Sequence, residues 1–490
     1  MLQQRILCCS DGANRHCEHV PVRLSLMSTC SRAGFAVRVV STTAAFLIAS
    51  TAWALVPNGS APVECYQSCC RTRPPQSPHT DHDMAGHSMM SHEHAATLID
   101  AIELHGTSGT DVETASTPHP MWMSERAGWQ LMFHGVAFAN DIQQTGPRGG
   151  DKFFSTNWFM PMAQRDVGPG KLTVRAMLSL EPATITDRRY PELFQTGETA
   201  FGRPIVDGQH PHNLFMEIGA VYDWKLGEKS LLSVYAAPVG DPAIGPVAYP
   251  HRTSASEDPL AVLGHHLQDS THISYDVVTL GYTYSMVRVE ASGFHGREPG
   301  ENRWNIAQGA IDSWSARLTF SPTQNWSGQF SLGTLHSPEA LFPAEDQRRM
   351  TASISYNRPI ARGNWASTLV WGRTRSIGGG DVLNSYLLES TLQFLSRNAA
   401  WARIENVDRT NLLLLGEYPL PPAFQEQFLA RVQAYTVGYD REFSFVPHFS
   451  TAAGGQATFY AAPAFLAETY GSHSMGYLVF VRFRPDGSMH

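Results

Sequence analysis

At 490 residues the chain is long enough for two or three ordinary domains, or for one large β-barrel. A net charge of −8 without a polybasic block excludes nucleic acid from the expected partners. Charged residues make up only 16%, below the roughly 25% of soluble domains, and no apolar run is long enough for a spanning helix. That balance suits strands that keep one face in lipid.

The first element is Val39 to Ala54, an apolar stretch containing Ser and Thr and shorter than the roughly 20 residues of a spanning helix. Arg32 and Arg38 precede it, and Ala52-Trp53-Ala54 offers small residues where a signal peptidase reads. Residues 1–54 are therefore expected to be an export signal. Counted from Met27 the signal has ordinary length, which points to Met27 as the true start. Of seven cysteines, Cys8, Cys9, Cys17 and Cys30 fall before the cleavage site. Cys65, Cys69 and Cys70 remain, either as a disulfide plus a free thiol or as metal-binding thiolates.

Residues 55–126 read as a disordered periplasmic arm, because Pro, Ser, Thr and His dominate and little apolar surface is available to offset ordering entropy. Within it, His79, His82, Asp83, Met84, His87, Met89, Met90, His92 and His94 mix imidazole, carboxylate and thioether over 16 residues. Thioether sulfur suits Cu(I), whereas imidazole and carboxylate suit Cu(II) and Zn(II).

From Gly128 the texture changes. The fold class expected for 127–485 is all-β: an antiparallel transmembrane β-barrel of about 16 strands. Sixteen segments alternate in polarity, near 128–138, 153–163, 171–181, 213–223, 230–238, 272–283, 286–296, 312–321, 326–335, 349–357, 364–373, 382–395, 398–408, 429–441, 446–460 and 474–484. In Ser313 to Phe320 one face carries Trp314, Ala316, Leu318 and Phe320, and the other Ser313, Ser315, Arg317 and Thr319. Connections alternate long and short, as in outer-membrane barrels with short periplasmic turns and long external loops. Pro161 resists: it removes a ladder hydrogen bond and predicts a bulge or a shortened strand. Trp129, Trp158, Trp224, Trp326, Trp365 and Trp371 sit near strand ends, where interfacial girdles form.

Two loop patterns have metal-ligand spacing: Asp207-x-x-His210-x-His212, and His265-His266-x-x-Asp269-x-x-His272. Glu217, Asp223, Arg288, Glu290, Arg317, Glu389, Arg403, Glu405 and Arg482 have the inward phase, and on a lipid face each would be costly. They are expected to line a pore or cross-link a closed interior. No G-x-S-x-G, H-E-x-x-H or phosphate-binding glycine loop occurs, so no enzymatic activity is expected. The weakest alternative is a barrel-wall Ser/His hydrolase using Ser292, His295 and Ser313.

The 79–94 tract resembles the His/Met/Asp repeats that precede the barrel in the copper resistance protein B family, and Ser474 to Val481 resembles the terminal signal read by the barrel assembly machinery. The first resemblance implies copper as the bound ion and a role in copper or heavy-metal binding, efflux or resistance. The expected location is the outer membrane with the arm in the periplasm. Expected partners are outer-membrane lipid, the assembly machinery, metal ions or small solutes, and periplasmic metal-efflux components. A general small-solute porin with an incidental arm is the alternative.

Overall fold

The computed structural model describes residues 95–380, 382–410 and 429–485. The export signal, the 79–94 tract, and Cys65, Cys69 and Cys70 lie outside the described residues.

In chain order the strands are β1 (Trp122–Arg126), β2 (Trp129–Gln144), β3 (Asp151–Val167), β4 (Gly170–Leu178), β5 (Tyr190–Ala200), β6 (Arg203–Gln209), β7 (Phe215–Gly227), β8 (Ser230–Gly240), β9 (Ser274–Tyr284) and β10 (Val287–His295). They continue with β11 (Ser313–Thr323), β12 (Trp326–Leu335), β13 (Asp346–Ile360), β14 (Gly363–Ile377), β15 (Val382–Phe394), β16 (Asn398–Arg409), β17 (Ala430–Val446), β18 (Phe449–Ala461) and β19 (Met475–Pro485). Leaving out β1, β5 and β6, each strand pairs antiparallel with the next, and β19 returns to β2 with Val479 opposite Asp141. Sixteen strands thus form a closed ring, and each coincides with one of the sixteen segments read from the sequence.

Where β19 stops short, β1 takes over the same edge of β2, with Trp122 opposite Phe133. The hairpin between them turns on Ala127 and Gly128, at φ 53° and 73°. Two positive φ values match the tight turn that fits strand twist. All seven short connections within the ring have two or three residues, as at 168–169 and 395–397, and all lie at one end. At the other end the connections run from four residues (378–381) to 36 (179–214, which holds β5 and β6).

The ring is built inside-out relative to a soluble protein. Along β11, Ser313, Ser315, Arg317 and Thr319 are buried, while Trp314, Leu318 and Phe320 are exposed. Successive side chains point to opposite faces, so the polar set fills the lumen and the apolar set forms the outer surface. Trp224, Trp326 and Trp365 are exposed near the short-turn end, where a girdle would lie. Trp158 corrects the girdle reading: it faces inward, edge-on to His134 at 5.1 Å. Pro161 causes neither bulge nor shortening. β3 holds one register against β4 on both sides of it, from Phe159 opposite Leu178 to Met162 opposite Arg175, and only the pairing between them lapses.

The arm reading needs correcting over 95–126, which the structure folds. Helix α1 (Leu98–Leu104) opens with a capping box: Thr97 Oγ1 accepts from Asp100 N at 3.2 Å, and the Asp100 carboxylate accepts from Thr97 N at 3.0 Å. Leu98, Ile99 and Ile102 pack with Leu231 on the inner wall.

On the outer face, Leu318→Arg is expected to destabilise the barrel by about 2–4 kcal/mol if it lies near the bilayer midplane. Denaturant unfolding in lipid vesicles measures this, and a cost below about 0.5 kcal/mol would contradict the assigned face.

Candidate metal centre

A ring of sixteen strands encloses room for a water channel, yet its inward charges are not in water. Arg288, Arg317 and Arg403 are 1%, 4% and 3% exposed. An arginine on the wall of an open channel would be hydrated. These side chains are covered because three segments occupy the lumen.

The first is 95–121. His105 Nε2 lies 2.9 Å from Asp223 Oδ2, and Ser108 Oγ donates to Asp241 at 2.8 Å. Glu217 accepts from Arg175 Nε at 2.8 Å, Tyr235 at 2.6 Å and Gly109 N at 3.3 Å. Arg317 is bound by Asp111 and by Glu290, the latter at 2.9 Å and also paired with Arg288 at 2.9 Å. The segment then returns to the short-turn end, where Ser116 N donates to Gln324 O at 2.8 Å.

The second is the 241–273 connection, which crosses the lumen. Ala243 N donates to Ser292 Oγ at 2.8 Å, and Arg252 Nε to Glu389 Oε1 at 2.5 Å. Leu263 N donates to Glu405 Oε1 at 2.5 Å, while Arg403 pairs with Asp258 at 3.0 Å and Glu389 at 3.4 Å. The third is the hairpin of β5 and β6, whose Leu193, Phe194 and Val206 pack on Val407, Val432 and Ala434 of the wall. Arg482 pairs with Asp440 and Glu442 at 2.9 Å each, and with Glu257. The predicted pore-lining charges therefore all point inward. Most serve as sockets of inserted segments instead of lining open water, and Arg288 is held by Glu290, Ser233 and Thr283 of the wall.

Two of those segments bring the loop histidines together. His210 and His212 follow β6; His265 and His266 lie on helix α2 (His265–Gln268); His272 ends the 3-10 turn Ser270–His272. Ring centroids are 5.4 Å apart for His210–His266, 5.1 Å for His265–His266, 5.2 Å for His265–His272 and 5.4 Å for His212–His272. One ligand nitrogen from each of His210, His265 and His266 lies within 4.8 Å of the other two. Five histidines, separated by up to 62 positions in the chain, form one cluster in which His266 is half-buried and the other four are buried.

Four of the five meet an oxygen at Nδ1. His210 Nδ1 donates to Pro211 O at 3.1 Å, and His272 Nδ1 donates to Asp269 O at 2.7 Å. His265 Nδ1 lies 2.6 Å from Asp269 Oδ1, and His212 Nδ1 lies 3.0 Å from Glu181 Oε2. Oxygen on Nδ1 orients an imidazole and leaves its Nε2 lone pair for a metal. His266 Nε2 and His272 Nε2 are buried with no hydrogen-bond partner among the described residues. Glu198 Oε1 lies 3.1 Å from His210 Nε2 without hydrogen-bond alignment. His212 Nε2 is the exception, meeting the Tyr249 hydroxyl at 3.2 Å.

Burial lowers the His210 pKa to about 3, with His265 adding to the effect, and burial likewise holds His266 and His272 well below the usual histidine range. Neutral imidazoles are the form that binds metal.

Of the residues with ligand spacing, six meet here: His210, His212, His265, His266, Asp269 and His272. Asp207 does not. It turns away to Arg148 at 2.6 Å and Tyr470 at 3.2 Å. Glu181 and Glu198 were not singled out by sequence. Each lies in the connection or hairpin preceding His210, with no local motif to mark it. Ser292 lies apart from the other hydrolase candidates, its Oγ bonding Ala243 N and Thr279, while Ser313 Oγ and His295 Nδ1 both bind Asp312, at 2.8 and 3.0 Å. Among the described residues no serine hydroxyl in this set meets the His295 ring.

No family model matches the chain, and no curated protein matches it. Among solved structures, similarity extends to an anion-selective porin from Comamonas acidovorans (13% identity, 73% of this chain, 99% of that one, TM-score 0.42). It also extends to Salmonella typhi OmpF in complex with daunomycin (9%, 74% and 99%, TM-score 0.43) and to Pseudomonas putida OprB at high pH (10%, 72% and 94%, TM-score 0.44).

Gly109 sits at φ 55°, and a Cβ there would collide with the Asp241 backbone. Gly109→Val is therefore expected to unseat the first segment and raise single-channel conductance in planar bilayers, with the ring intact by heat-modifiable gel mobility. Conductance equal to wild type would contradict the occluded lumen.

Proposed function

We propose that the chain is an outer-membrane β-barrel that binds transition-metal ions at a histidine centre inside its lumen and takes part in copper or heavy-metal handling. The observation that carries this reading is the convergence of His210, His212, His265, His266 and His272 from two separate segments. Packing imidazoles together costs desolvation that ordinary packing does not recover, and a bound cation would use the unpartnered Nε2 atoms of His210, His266 and His272. Imidazole with nearby carboxylate suits Zn(II), Cu(II) or Ni(II). The apolar outer face and closed ring fit an outer-membrane location. The word copper comes from the 79–94 tract, which would load the ion from the periplasm and pass it toward efflux components.

A general small-solute porin would use the same ring. The occluded, ion-paired lumen favours the metal reading over it.

Co(II) titration of the purified full chain tests the centre, because tetrahedral Co(II)–imidazole sites absorb strongly in the visible. Wild type is expected to bind, and His265→Ala or His210→Ala to weaken binding by about tenfold or more, as loss of even an outer-sphere partner does at metal sites. Absence of the visible bands would remove the centre from the account. Deleting 79–94 separately tests the copper link: periplasmic copper and copper tolerance are expected to change. If neither does while solutes permeate freely, the porin reading holds.

A further inference from the structure

The lumen holds a second cluster of a different chemistry. Met121, Met132, Met160, Met162, Met177 and Met216 are all buried and pack as one group with Val239, Ile273 and Tyr275. On β11, by contrast, the inward wall is Ser313, Ser315, Arg317 and Thr319. Here it is thioether. The strand register orders the group: Met132 stands opposite Met162, and His134 opposite Met160. The β3–β4 register that sets Phe159 against Leu178 puts Met160 level with Met177.

Two imidazoles enter this sulfur-lined space. His251, from the 241–273 connection, brings Nε2 to 3.2 Å from Met177 Sδ. Its ring lies 5.9 Å from that of His134, and Trp158 packs against both at 5.1 and 4.5 Å. His134 is 7% exposed, and its Nε2 has no hydrogen-bond partner among the described residues. Methionine alone is ordinary core filler. A buried imidazole without a partner is not, since an unpaired polar group loses its hydration for nothing in return.

We propose that His134, Met160, Met177 and His251 form a site for a soft monovalent cation, Cu(I) or its analogue Ag(I), with Met132 and Met162 beside it. Thioether and imidazole together select Cu(I) over hard cations and over the divalent ions suited to an all-imidazole site. His134, Met160 and Met177 come from three consecutive strands, β2, β3 and β4, with Met160 opposite His134 and level with Met177 in the β3–β4 register, and His251 comes from the 241–273 connection. The site does not depend on the five-histidine centre.

The test uses the full chain in which Cys65→Ser, Cys69→Ser, Cys70→Ser, Met84→Leu, Met89→Leu and Met90→Leu remove the sulfur of residues 55–94. Loaded anaerobically with Cu(I) under competition from a chromophoric chelator, this chain is expected to show sulfur neighbours in copper X-ray absorption. Grown with selenomethionine, it is expected to show copper–selenium scattering, a measurement that needs no change to the lumen. Adding Met160→Leu and Met177→Leu is expected to weaken Cu(I) binding at least tenfold and abolish that scattering, with Co(II) binding at the five-histidine centre unchanged. Copper lacking sulfur or selenium neighbours would overturn the site. So would a folded double variant that keeps its Cu(I) affinity.

Discussion

Backbone hydrogen bonding in a medium without water is the constraint from which the rest follows. Every N–H and C=O at membrane depth needs a protein partner, and a sheet meets that demand only by closing on itself. Here the closure is the β19–β2 ladder, extended by β1 where β19 ends. Once the ring exists, period-two alternation sends one side chain in two to lipid and the other to the interior. An apolar exterior and a polar interior are therefore one consequence of a single geometric fact.

The polar interior creates a second problem. Charges such as Arg317 and Glu389 would be satisfied by water in an open channel, but here inserted segments replace that water. Each insertion supplies counter-charges or backbone donors at fixed positions: Asp111 for Arg317, Arg252 for Glu389, Leu263 N for Glu405. Buried pairs of this kind contribute little net stability, because desolvation offsets most of the attraction, yet leaving one partner alone is expensive. They act as keys that admit one seating of each segment. That seating carries His210 toward His265, and His251 toward Met177. The metal chemistry argued above is thus a product of how the lumen is filled.

Much of the ring was legible in the sequence. All sixteen strands coincide with alternating segments, because alternation is a local signal that tertiary contacts reinforce. The sorting of short and long connections was legible for the same reason. The histidine centre was half legible: both motifs had ligand spacing, but spacing cannot show that residues 210 and 265 meet across a lumen. Asp207 fitted the pattern and left it because Arg148, far away in the chain, holds it. The plug was missed from 95 to 121. Thr97-x-x-Asp100 followed by Leu98, Ile99 and Ile102 was a helix start inside a segment whose overall composition read as linker. Polar side chains that look solvated in a list find their partners inside the lumen: Thr110 accepts from Arg317 of the barrel wall, Ser108 donates to Asp241 of the 241–273 connection, and Thr107 donates to Asp111 O. Trp158 and the methionines of β3 were invisible for a different reason. An inward apolar side chain is indistinguishable from an outward one until register is known.

The most direct measurement is a structure of the full chain loaded with Co(II) or Zn(II), read through anomalous scattering at the metal edge. A peak bonded to His210, His265 and His266 inside a closed sixteen-strand ring is the predicted result. A closed ring with an open, water-filled lumen and no anomalous peak among these histidines would contradict the account.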